Sequence, residues 1–352
     1  MIDFWGVGVE VAERMGLLDE LRRRDRRINE LRFVNADGDR VGGLSAEFWR
    51  SALGDRLVSL TRSDLAEILY EAVRDDVECL FDDSPAALNQ DDAGVSVAFE
   101  SGRTRRFDLV VGADGLHSRV RSLVFGPEAR FERFLGYDAC SYTIRGYPES
   151  SGRTYVSFAS PGKQAARYQF REGETGALFL FKRPAGAADG LLDESSQKRL
   201  LRETFEGEGW ECRALIERMD DADDFYFDSV SQIRMSAWSR GRVALVGDAA
   251  SCPSLISGQG AALAMAGAYS LAGELNEAEG DHQTAFARHE EAFRPLVEWR
   301  QRSARRFAGS LVPATRFGVW LRNQTTRWMF IPIVANWFLR RYMTNPFELK
   351  EH

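Results

Sequence analysis

Apolar residues recur with helical spacing in two stretches near the start of the chain. Residues 8–24 carry such a stripe with a break at Gly16, and its apolar members are Val9, Ala12, Leu17, Leu18 and Leu21. In residues 61–73 apolar side chains fall at i, i+3, i+4 and i+7, at Leu65, Ile68, Leu69 and Ala72. Asp64 followed by Glu67 resembles a helix cap, so we expect a broken helix and then a well-formed helix capped by Asp64.

Short apolar runs between these helices and the later ones predict buried strands. Val95, Val97 and Phe99 alternate with polar residues, as in a half-buried strand. The unbroken runs at residues 109–111 and 243–246 fit strands that are covered on both faces. We therefore expect a parallel sheet with helices on either side.

The pattern changes to strict alternation from about residue 140. Four short alternating runs, separated by Gly and Pro signals, predict an antiparallel sheet at residues 141–147, 153–160, 166–172 and 176–183. Helical stretches follow at 194–205 and 210–219, and the last ~50 residues read as helices with a break at Pro332. The fold class is therefore α/β: a discontinuous domain over residues 1–130 and 225–300, an inserted antiparallel-sheet domain over 131–224, and C-terminal helices over 301–352.

Composition and charge exclude several classes of partner. The net charge of -7 over 352 residues argues against nucleic acid, whose binding needs clustered Lys and Arg. The four cysteines lie far apart without C-x-x-C spacing, so we expect reduced thiols and no metal site. No secretory signal is visible, which predicts a cytoplasmic protein. The apolar residues 328–339 are too short to span a bilayer, so they predict a packed terminal helix, with an interfacial anchor as the alternative.

A glycine-rich segment follows the apolar run that ends at Val246. Asp248 comes directly after this predicted strand, where a carboxylate can accept a hydrogen bond from a sugar hydroxyl; capping of a local turn is the alternative. Ten residues later, Gly258 and Gly260 precede a helical pattern whose small residues lie four apart, at Gly260, Ala264, Ala268 and Ala272. Glycines at a helix start let free N–H groups face a ligand closely.

Two further places carry candidate chemistry. Asp114 and Gly115 end the strand at 109–111 and can place a carboxylate and a turn N–H near a diphosphate or nicotinamide, although a plain strand-terminating turn is the preferred explanation of this motif by itself. Arg62 lies at a helix start, where its charge opposes the helix dipole; a bound anion or simple solvent exposure accounts for it. We expect His117 to be a surface loop residue and not a base.

These segments together resemble the flavoprotein aromatic hydroxylases, which are FAD-dependent monooxygenases with the p-hydroxybenzoate hydroxylase fold. The likeness is closest to the branch that contains the tetracycline-inactivating monooxygenases. Five motifs carry it in the family's order: IDFWG with ERMGLLDEL, TRSDLAEIL, VVGADGLHSRVR, DFYFDSV and GRVALVGDAASCPSLISGQG. The resemblance implies a Rossmann-like FAD-binding domain with an inserted antiparallel-sheet substrate domain and a helical C-terminus.

The resemblance also implies roles for individual residues. Asp248 would hold the ribityl or ribose hydroxyls of FAD, and Arg62 would approach the diphosphate. Asp114 and Gly115 would belong to the motif tied to FAD and NAD(P)H. Backbone N–H groups at the pyrimidine edge of the flavin would come from Gly258, Gly260, Ala261 and Ala262.

Two departures from the family pattern stand out. The family opens with a βαβ unit bearing a G-x-G-x-x-G turn, and no such turn occurs in residues 1–352. Gly6-Val7-Gly8 lacks the third glycine and follows no predicted strand, so we expect this first unit to be missing. Leu255 stands where relatives commonly carry proline.

The expected function is an NADPH- or NADH-using FAD monooxygenase that hydroxylates an aromatic or polyketide-like small molecule through a flavin C4a-hydroperoxide. The alternatives are a flavin-free pseudoenzyme or fragment that only binds ligands or partners, and a halogenase or reductase of the same fold. No catalytic side chain is identified, and the sequence leaves the oligomeric state open. Aromatic residues of the predicted sheet either line the substrate pocket or form plain sheet core: Tyr168, Phe170, Phe179 and Phe181.

Overall fold

The computed structural model describes residues 2–26, 28–45, 57–148, 153–171, 173–183, 193–328 and 350. Its helices in chain order are α1 Val7–Arg14, α2 Leu18–Arg23, α3 Arg62–Glu71, α4 Arg119–Phe125, α5 Glu194–Phe205, α6 Cys212–Glu217, α7 Asp248–Ser251, α8 Gly260–Glu277, α9 His282–Leu311 and α10 Arg316–Trp328. The break predicted at Gly16 separates α1 from α2. The helices predicted at 194–205 and 210–219 correspond to α5 and to α6 with the 3₁₀ turn Met219–Asp221.

The strands form four sheets. In chain order they are β1 Ile2–Phe4, β2 Glu30–Val34, β3 Arg40–Ser45, β4 Val58–Leu60, β5 Pro85–Asp91, β6 Gly94–Phe99, β7 Thr104–Phe107, β8 Val110–Gly112, β9 Glu132–Arg145, β10 Thr154–Ser160, β11 Lys163–Arg171, β12 Glu174–Lys182, β13 Tyr226–Ile233, β14 Ser239–Arg240 and β15 Val243–Leu245. The sheet orders are β1-β4, β13-β9-β12-β11-β10-β2-β3, β14-β15-β8 and β5-β6-β7.

The seven-stranded sheet contains all four strands that the alternation predicted. Strands β9 to β12 pair antiparallel, whereas β10 and β2 pair parallel. Strands β2, β3 and β13 also join this sheet, so it uses residues on both sides of the predicted boundaries at 131 and 224. The division into domains stays a prediction.

This sheet has two different faces. One face, here called the helix face, packs against α5 and α6. There Phe179 of the sheet contacts Phe205 of α5. The opposite face, here called the loop face, contacts the 3₁₀ turn Leu255–Ser257 and the end of α9. The sheet contributes Ala139, Leu180 and Val230 to this contact, the turn contributes Ile256, and α9 contributes Ala308. The glycine-rich segment therefore lies against the loop face.

The two unbroken apolar runs pair as predicted. Strands β8 and β15 are parallel, with Val111 opposite Ala244. Strand β15 is buried throughout, but the side chain of Val111 is 43 % exposed. The expectation that β8 is covered on both faces is therefore wrong within the described residues, because no described element packs over Val111.

Helix α8 packs closely against α1, but not through the predicted row of small residues, in which Ala268 and Ala272 are exposed. A Cβ atom at Gly8 of α1 would lie 2.6 Å from the Cβ of Ala262, so only glycine allows α1 to pack this closely. This packing places β1 and the start of α1 beside the start of α8. Gly8 thus has a packing role.

The cap of α3 differs from the predicted one. Thr61 is the N-cap residue: its hydroxyl accepts from the Asp64 N–H at 3.0 Å, and Asp64 accepts from the Thr61 N–H in return. Asp64 therefore occupies the third helical position. Glu67 takes no part in the cap. The buried Asp64 also pairs with Arg26 at 3.0 Å, which ties α3 to the segment after α2.

We expect Thr61→Ala to lower the free energy of unfolding by about 1 kcal/mol, since one orphan N–H at the start of α3 loses its acceptor. Urea unfolding followed by circular dichroism measures this loss. Ser63→Ala removes the hydroxyl that lies 2.9 Å from the Thr61 hydroxyl but keeps the bond between Thr61 and the Asp64 N–H, so it should change stability less. Equal midpoints for Thr61→Ala and the parent would contradict the cap assignment.

The C-terminal prediction is only partly described. Helices α9 and α10 confirm helical structure after residue 281, whereas most of residues 328–339 lie outside the described residues. Within the described part of the chain, no helix is long and apolar enough to cross a bilayer. All four cysteines are unpaired, and Cys79 alone among them is exposed.

Candidate functional site

The chain turns sharply between β15 and α8. Gly247, with φ 61°, directs the chain from buried β15 into the short helix α7. Gly258 then adopts the left-handed conformation, with φ 62° and ψ 8°, just before α8 begins at Gly260. Glycine takes such φ values without the strain that a Cβ imposes. The two turns bring Asp248 and the start of α8 together.

Asp248 presents a carboxylate oxygen with nothing bound to it. Its Oδ1 atom is buried and has no hydrogen-bond partner in the part of the chain that the structure describes. Burial raises the pKa of Asp248, while the Cys252 thiol and the positive charge of Arg62 oppose that rise. A buried carboxylate oxygen without a partner is costly, so this atom is suited to a ligand hydroxyl.

The start of α8 leaves its backbone N–H groups open. The first bond at this end runs from the Leu263 N–H to the Gln259 carbonyl at 3.0 Å, and no described side chain caps the helix. The N–H groups that precede this bond belong to Gly260, Ala261 and Ala262. A Cβ atom at Gly260 would stand 3.7 Å and 3.8 Å from the two Asp248 carboxylate oxygens. The absent side chain therefore leaves free space in front of Asp248.

Two residues of this loop escaped the sequence reasoning. Gln259 is 1 % exposed, and neither its amide oxygen nor its amide nitrogen has a partner among the described residues. Ser254 is 3 % exposed, its hydroxyl is unpaired likewise, and its φ is 93°. More than nine in ten buried polar groups in proteins are hydrogen-bonded. In the sequence, the available signal was a glutamine between two glycines. The unpaired polar atoms of Gln259 and Ser254 point to a polar ligand beside the loop.

Arg62 lies close enough to Asp248 for its charge to act on that carboxylate. It is exposed at the start of α3, and its guanidinium carbon stands 5.8 Å from the centre of the Tyr226 ring. Its charge acts on the carboxylate of Asp248, as the pKa of that group indicates. The structure thus brings together Arg62, Asp248 and the start of α8, which are far apart in the sequence.

Asp114 and Gly115 form a self-contained turn. Asp114 accepts hydrogen bonds from the Ser118 hydroxyl at 2.5 Å and the Val120 N–H at 2.9 Å, so it secures the start of α4. Gly115 has φ 81°, and a Cβ there would meet no atom within 4 Å. The plain-turn alternative accounts for these contacts, and a role in cofactor binding stays a prediction.

His117 has two partners that the sequence did not reveal. Its Nδ1 lies 2.8 Å from Glu128 Oε1, and its Nε2 lies 3.2 Å from both carboxylate oxygens of Asp228. The hydrogen bond with Asp228 raises the pKa of His117 to about 9; burial opposes this, and the bond with Glu128 adds to it. The side chain is 45 % exposed, in agreement with a loop position, and a histidine already protonated at pH 7 does not serve as a base.

The predicted aromatic lining divides between the two faces of the sheet. The rings of Phe179 and Phe181 are fully buried on the helix face, where both pack edge-on against Phe205. These two residues are sheet core, so their assignment to a pocket lining is corrected. Tyr168 pairs with Gly176 and so points to the loop face, half-buried and stacked on Tyr155 at 5.8 Å. The side chain of Phe170 lies outside the described residues.

A cavity of about 250 Å³ opens at the edge of the large sheet. Its wall combines residues beside Arg62 with the ends of β9 and β12 and an acidic segment, namely Thr61, Ser63, Thr143, Ile144, Arg145, Glu174, Arg218, Asp221, Asp223 and Asp224. None of the predicted cofactor residues lines it. We therefore place the candidate site at Asp248 and the start of α8, where the unpaired polar atoms are.

Comparisons with known proteins identify the family of the chain. The FAD binding domain family matches residues 7–134. A flavin-dependent monooxygenase of an unknown prokaryotic organism is 37 % identical over 91 % of this chain and 78 % of its own length. The crystal structure of tetracycline destructase Tet(55) is 33 % identical, with a TM-score of 0.83 over 100 % of this chain and 88 % of that chain. Klebsiella pneumoniae HpxO, in complex with FAD and uric acid, shares the fold at 24 % identity and a TM-score of 0.78, over 98 % and 88 %.

Proposed function

Because the chain belongs to the flavin-dependent monooxygenases, we propose that it uses NAD(P)H and dioxygen to hydroxylate an aromatic or polyketide-like small molecule. FAD is its cofactor, as the matched FAD binding domain indicates. The overall reaction consumes one NAD(P)H, one dioxygen and one proton, and it yields the hydroxylated product, NAD(P)⁺ and water.

One observation carries the proposal: a buried carboxylate oxygen of Asp248, without a partner among the described residues, lies beside the uncapped start of α8 at Gly260. Asp248 supplies a hydrogen-bond acceptor, which suits a ribityl hydroxyl. The N–H groups of Gly260, Ala261 and Ala262 supply donors and the positive end of the α8 dipole, which suit a ring edge that becomes negative on reduction. The residues present therefore fit this cofactor.

Bound FAD would supply the redox chemistry, by accepting a hydride from NAD(P)H and activating dioxygen at its C4a position. The chain's own residues bind and orient. Arg62 contributes a positive charge near Asp248, and this charge would favour binding of the negatively charged diphosphate. The buried amide of Gln259 offers both a donor and an acceptor beside the glycine turn.

The loop face of the large sheet is the proposed substrate wall. It lies against the 3₁₀ turn at Leu255–Ser257, next to the proposed flavin site, and it presents the half-buried Tyr168 and Tyr155 rings. Stacked aromatic rings favour a flat, unsaturated ligand. The Tet(55) relative is called a tetracycline destructase, which supports fused-ring polyketides as the first compounds to examine. The predicted cytoplasmic location and domain boundaries stay predictions.

The test is substrate-stimulated oxidation of NADPH and NADH by the purified protein with added FAD. We expect a yellow protein whose NAD(P)H consumption rises with a phenol or a fused-ring polyketide, and whose product gains one ¹⁸O atom from ¹⁸O₂. A colourless protein that FAD does not reconstitute would support the ligand-binding alternative. NAD(P)H consumption with no oxygen in the product would support a reductase.

A further inference from the structure

His117 lies at the centre of a charged network that the proposed mechanism does not use. It comes from the loop after β8, whereas its partner Asp228 comes from β13 of the large sheet. Its other partner, Glu128, belongs to the 3₁₀ turn Glu128–Arg130. Three separate segments therefore meet at one imidazole ring.

The geometry defines the charge of this ring. Ionised carboxylates only accept hydrogen bonds, so a ring nitrogen facing one must carry a proton. Both ring nitrogens of His117 face carboxylates, at 2.8 Å and 3.2 Å. The bridge is therefore complete only when both nitrogens are protonated.

One arm of the network leads to Arg62. Asp228 accepts a hydrogen bond from the Tyr226 hydroxyl at 2.8 Å, and the Tyr226 ring lies under the guanidinium of Arg62. Burial by itself would raise the pKa of Asp228, but hydrogen bonds from His117 and Tyr226 outweigh it and lower that pKa. An ionised Asp228 fixes the tyrosine that supports Arg62.

The other arm leads to Asp248. Glu128 accepts from the fully buried Arg121 at 2.6 Å, and Arg121 donates to the Ala249 carbonyl at 3.0 Å. Ala249 follows Asp248 in α7. The two arms end at Arg62 and beside Asp248, which are the two charged residues of the proposed FAD site.

We propose that protonated His117 is a positioning residue for the cofactor: by holding Glu128 and Asp228 together, it fixes Arg62 and Asp248 in their binding arrangement. This inference rests on the proposed function. The titratable groups that face the ring are Asp228 and Glu128. Behind them lie Arg121, which donates to Glu128, and Tyr226 with Arg62, which adjoin Asp228. The two carboxylates favour the protonated ring.

The test compares FAD binding by the apoprotein across pH, followed by quenching of flavin fluorescence. For the parent protein we expect a constant dissociation constant from pH 6.5 to 8, and a rise of about tenfold as pH passes through 9. His117→Gln should bind FAD about tenfold more weakly at pH 7 and lack that rise. His117→Lys keeps the positive charge and should recover part of the affinity at pH 7. Alkaline ionisation of the flavin itself would change the dissociation constants of all variants alike, so only the part of the rise that His117→Gln lacks is assigned to His117.

Thermal unfolding of the apoprotein gives a second measurement that needs no cofactor. The folded-state pKa of His117 lies above its ordinary value of 6.5, so its contribution to stability is complete below pH 6.5 and disappears as pH rises through about 9. The parent should lose more stability than His117→Gln over that interval.

Arg119→Gln is the matched control, since it breaks the exposed Arg119–Glu100 ion pair two residues away and leaves the network intact. Its FAD binding should equal that of the parent. Parent-like affinity of His117→Gln at pH 7, or the same rise through pH 9 in that variant, would overturn the positioning role while the proposed function stands. If His117→Gln does not fold, a flat pH profile of the parent alone would overturn it. A parent protein that binds no FAD at any pH would instead overturn the proposed function.

Discussion

Replacement of Asp248 by alanine is expected to weaken FAD binding by about 1 to 3 kcal/mol, or roughly five- to 150-fold, because a cofactor hydroxyl loses its acceptor inside the site. The apoprotein should respond in the opposite direction. Its Asp248 Oδ1 is buried without a partner among the residues that the structure describes, and burial raises the pKa of this carboxyl. An acid with a raised folded-state pKa destabilises the fold above its ordinary pKa, so its removal should raise the Tm of the apoprotein at pH 7.

The opposite signs make this prediction specific. If Asp248 only capped a turn, Asp248→Ala would lower the stability of the apoprotein and leave its FAD affinity unchanged. The measurements are FAD titration and thermal unfolding of the apoprotein, each at pH 7. Asp75→Ala removes an exposed carboxylate on the segment after α3 and serves as the control for the loss of one negative charge. Unchanged affinity in Asp248→Ala would contradict the role of Asp248.

The second large effect is expected from Gly260→Ala. The new Cβ would lie 3.7 Å from Asp248 Oδ1, an ordinary contact that the apoprotein tolerates. It would, however, fill the space in front of the carboxylate that a cofactor group needs. We expect FAD affinity to fall about 100-fold, which corresponds to ~2.7 kcal/mol, because the steric block and the lost hydrogen bond act together.

Stability again separates binding from folding. Alanine favours a helix over glycine by up to about 1 kcal/mol, so Gly260→Ala apoprotein should be at least as stable as the parent. Gly309→Ala in α9 is a matched control, since its Cβ would meet no atom within 4 Å and it lies in another helix. Both variants should keep the fold, and only Gly260→Ala should lose FAD. Equal FAD affinity in the two variants would show that the space beside Asp248 is not used.

Local patterns predicted most secondary structure because the signals lie within a few residues of each other. Alternation located β9 to β12, and the spacing of Leu65 and Ile68 located α3. The cap of α3 was assigned to Asp64 because Asp and Thr share the same preference there, and only the backbone geometry shows that Thr61 leads. Exposure of Val111 depends on what packs over β8, which no local pattern contains.

The candidate site was predictable to the extent that its motifs are contiguous. The turn at Gly258 and the position of Asp248 follow from one stretch of sequence. The pairing of His117 with Asp228 joins residues 111 positions apart, and the fully buried position of Phe179 and Phe181 depends on which face α5 covers. This pairing and this burial depend on tertiary packing, which local sequence patterns do not contain. The expectation that no strand precedes Gly6 is wrong, because β1 Ile2–Phe4 ends two residues before it. The absence of the family's first unit and the binding roles of Asp114 and Gly115 stay predictions.

The most direct test of the central claim is a titration of the purified apoprotein with FAD at pH 7, followed by flavin fluorescence and by the flavin spectrum after gel filtration. The account predicts saturation at one FAD per chain, with flavin that elutes with the parent protein and with Gly309→Ala but separates from Gly260→Ala and Asp248→Ala. Flavin that never elutes with the parent, or that elutes equally with all four proteins, would contradict a cofactor site between Asp248 and the start of α8.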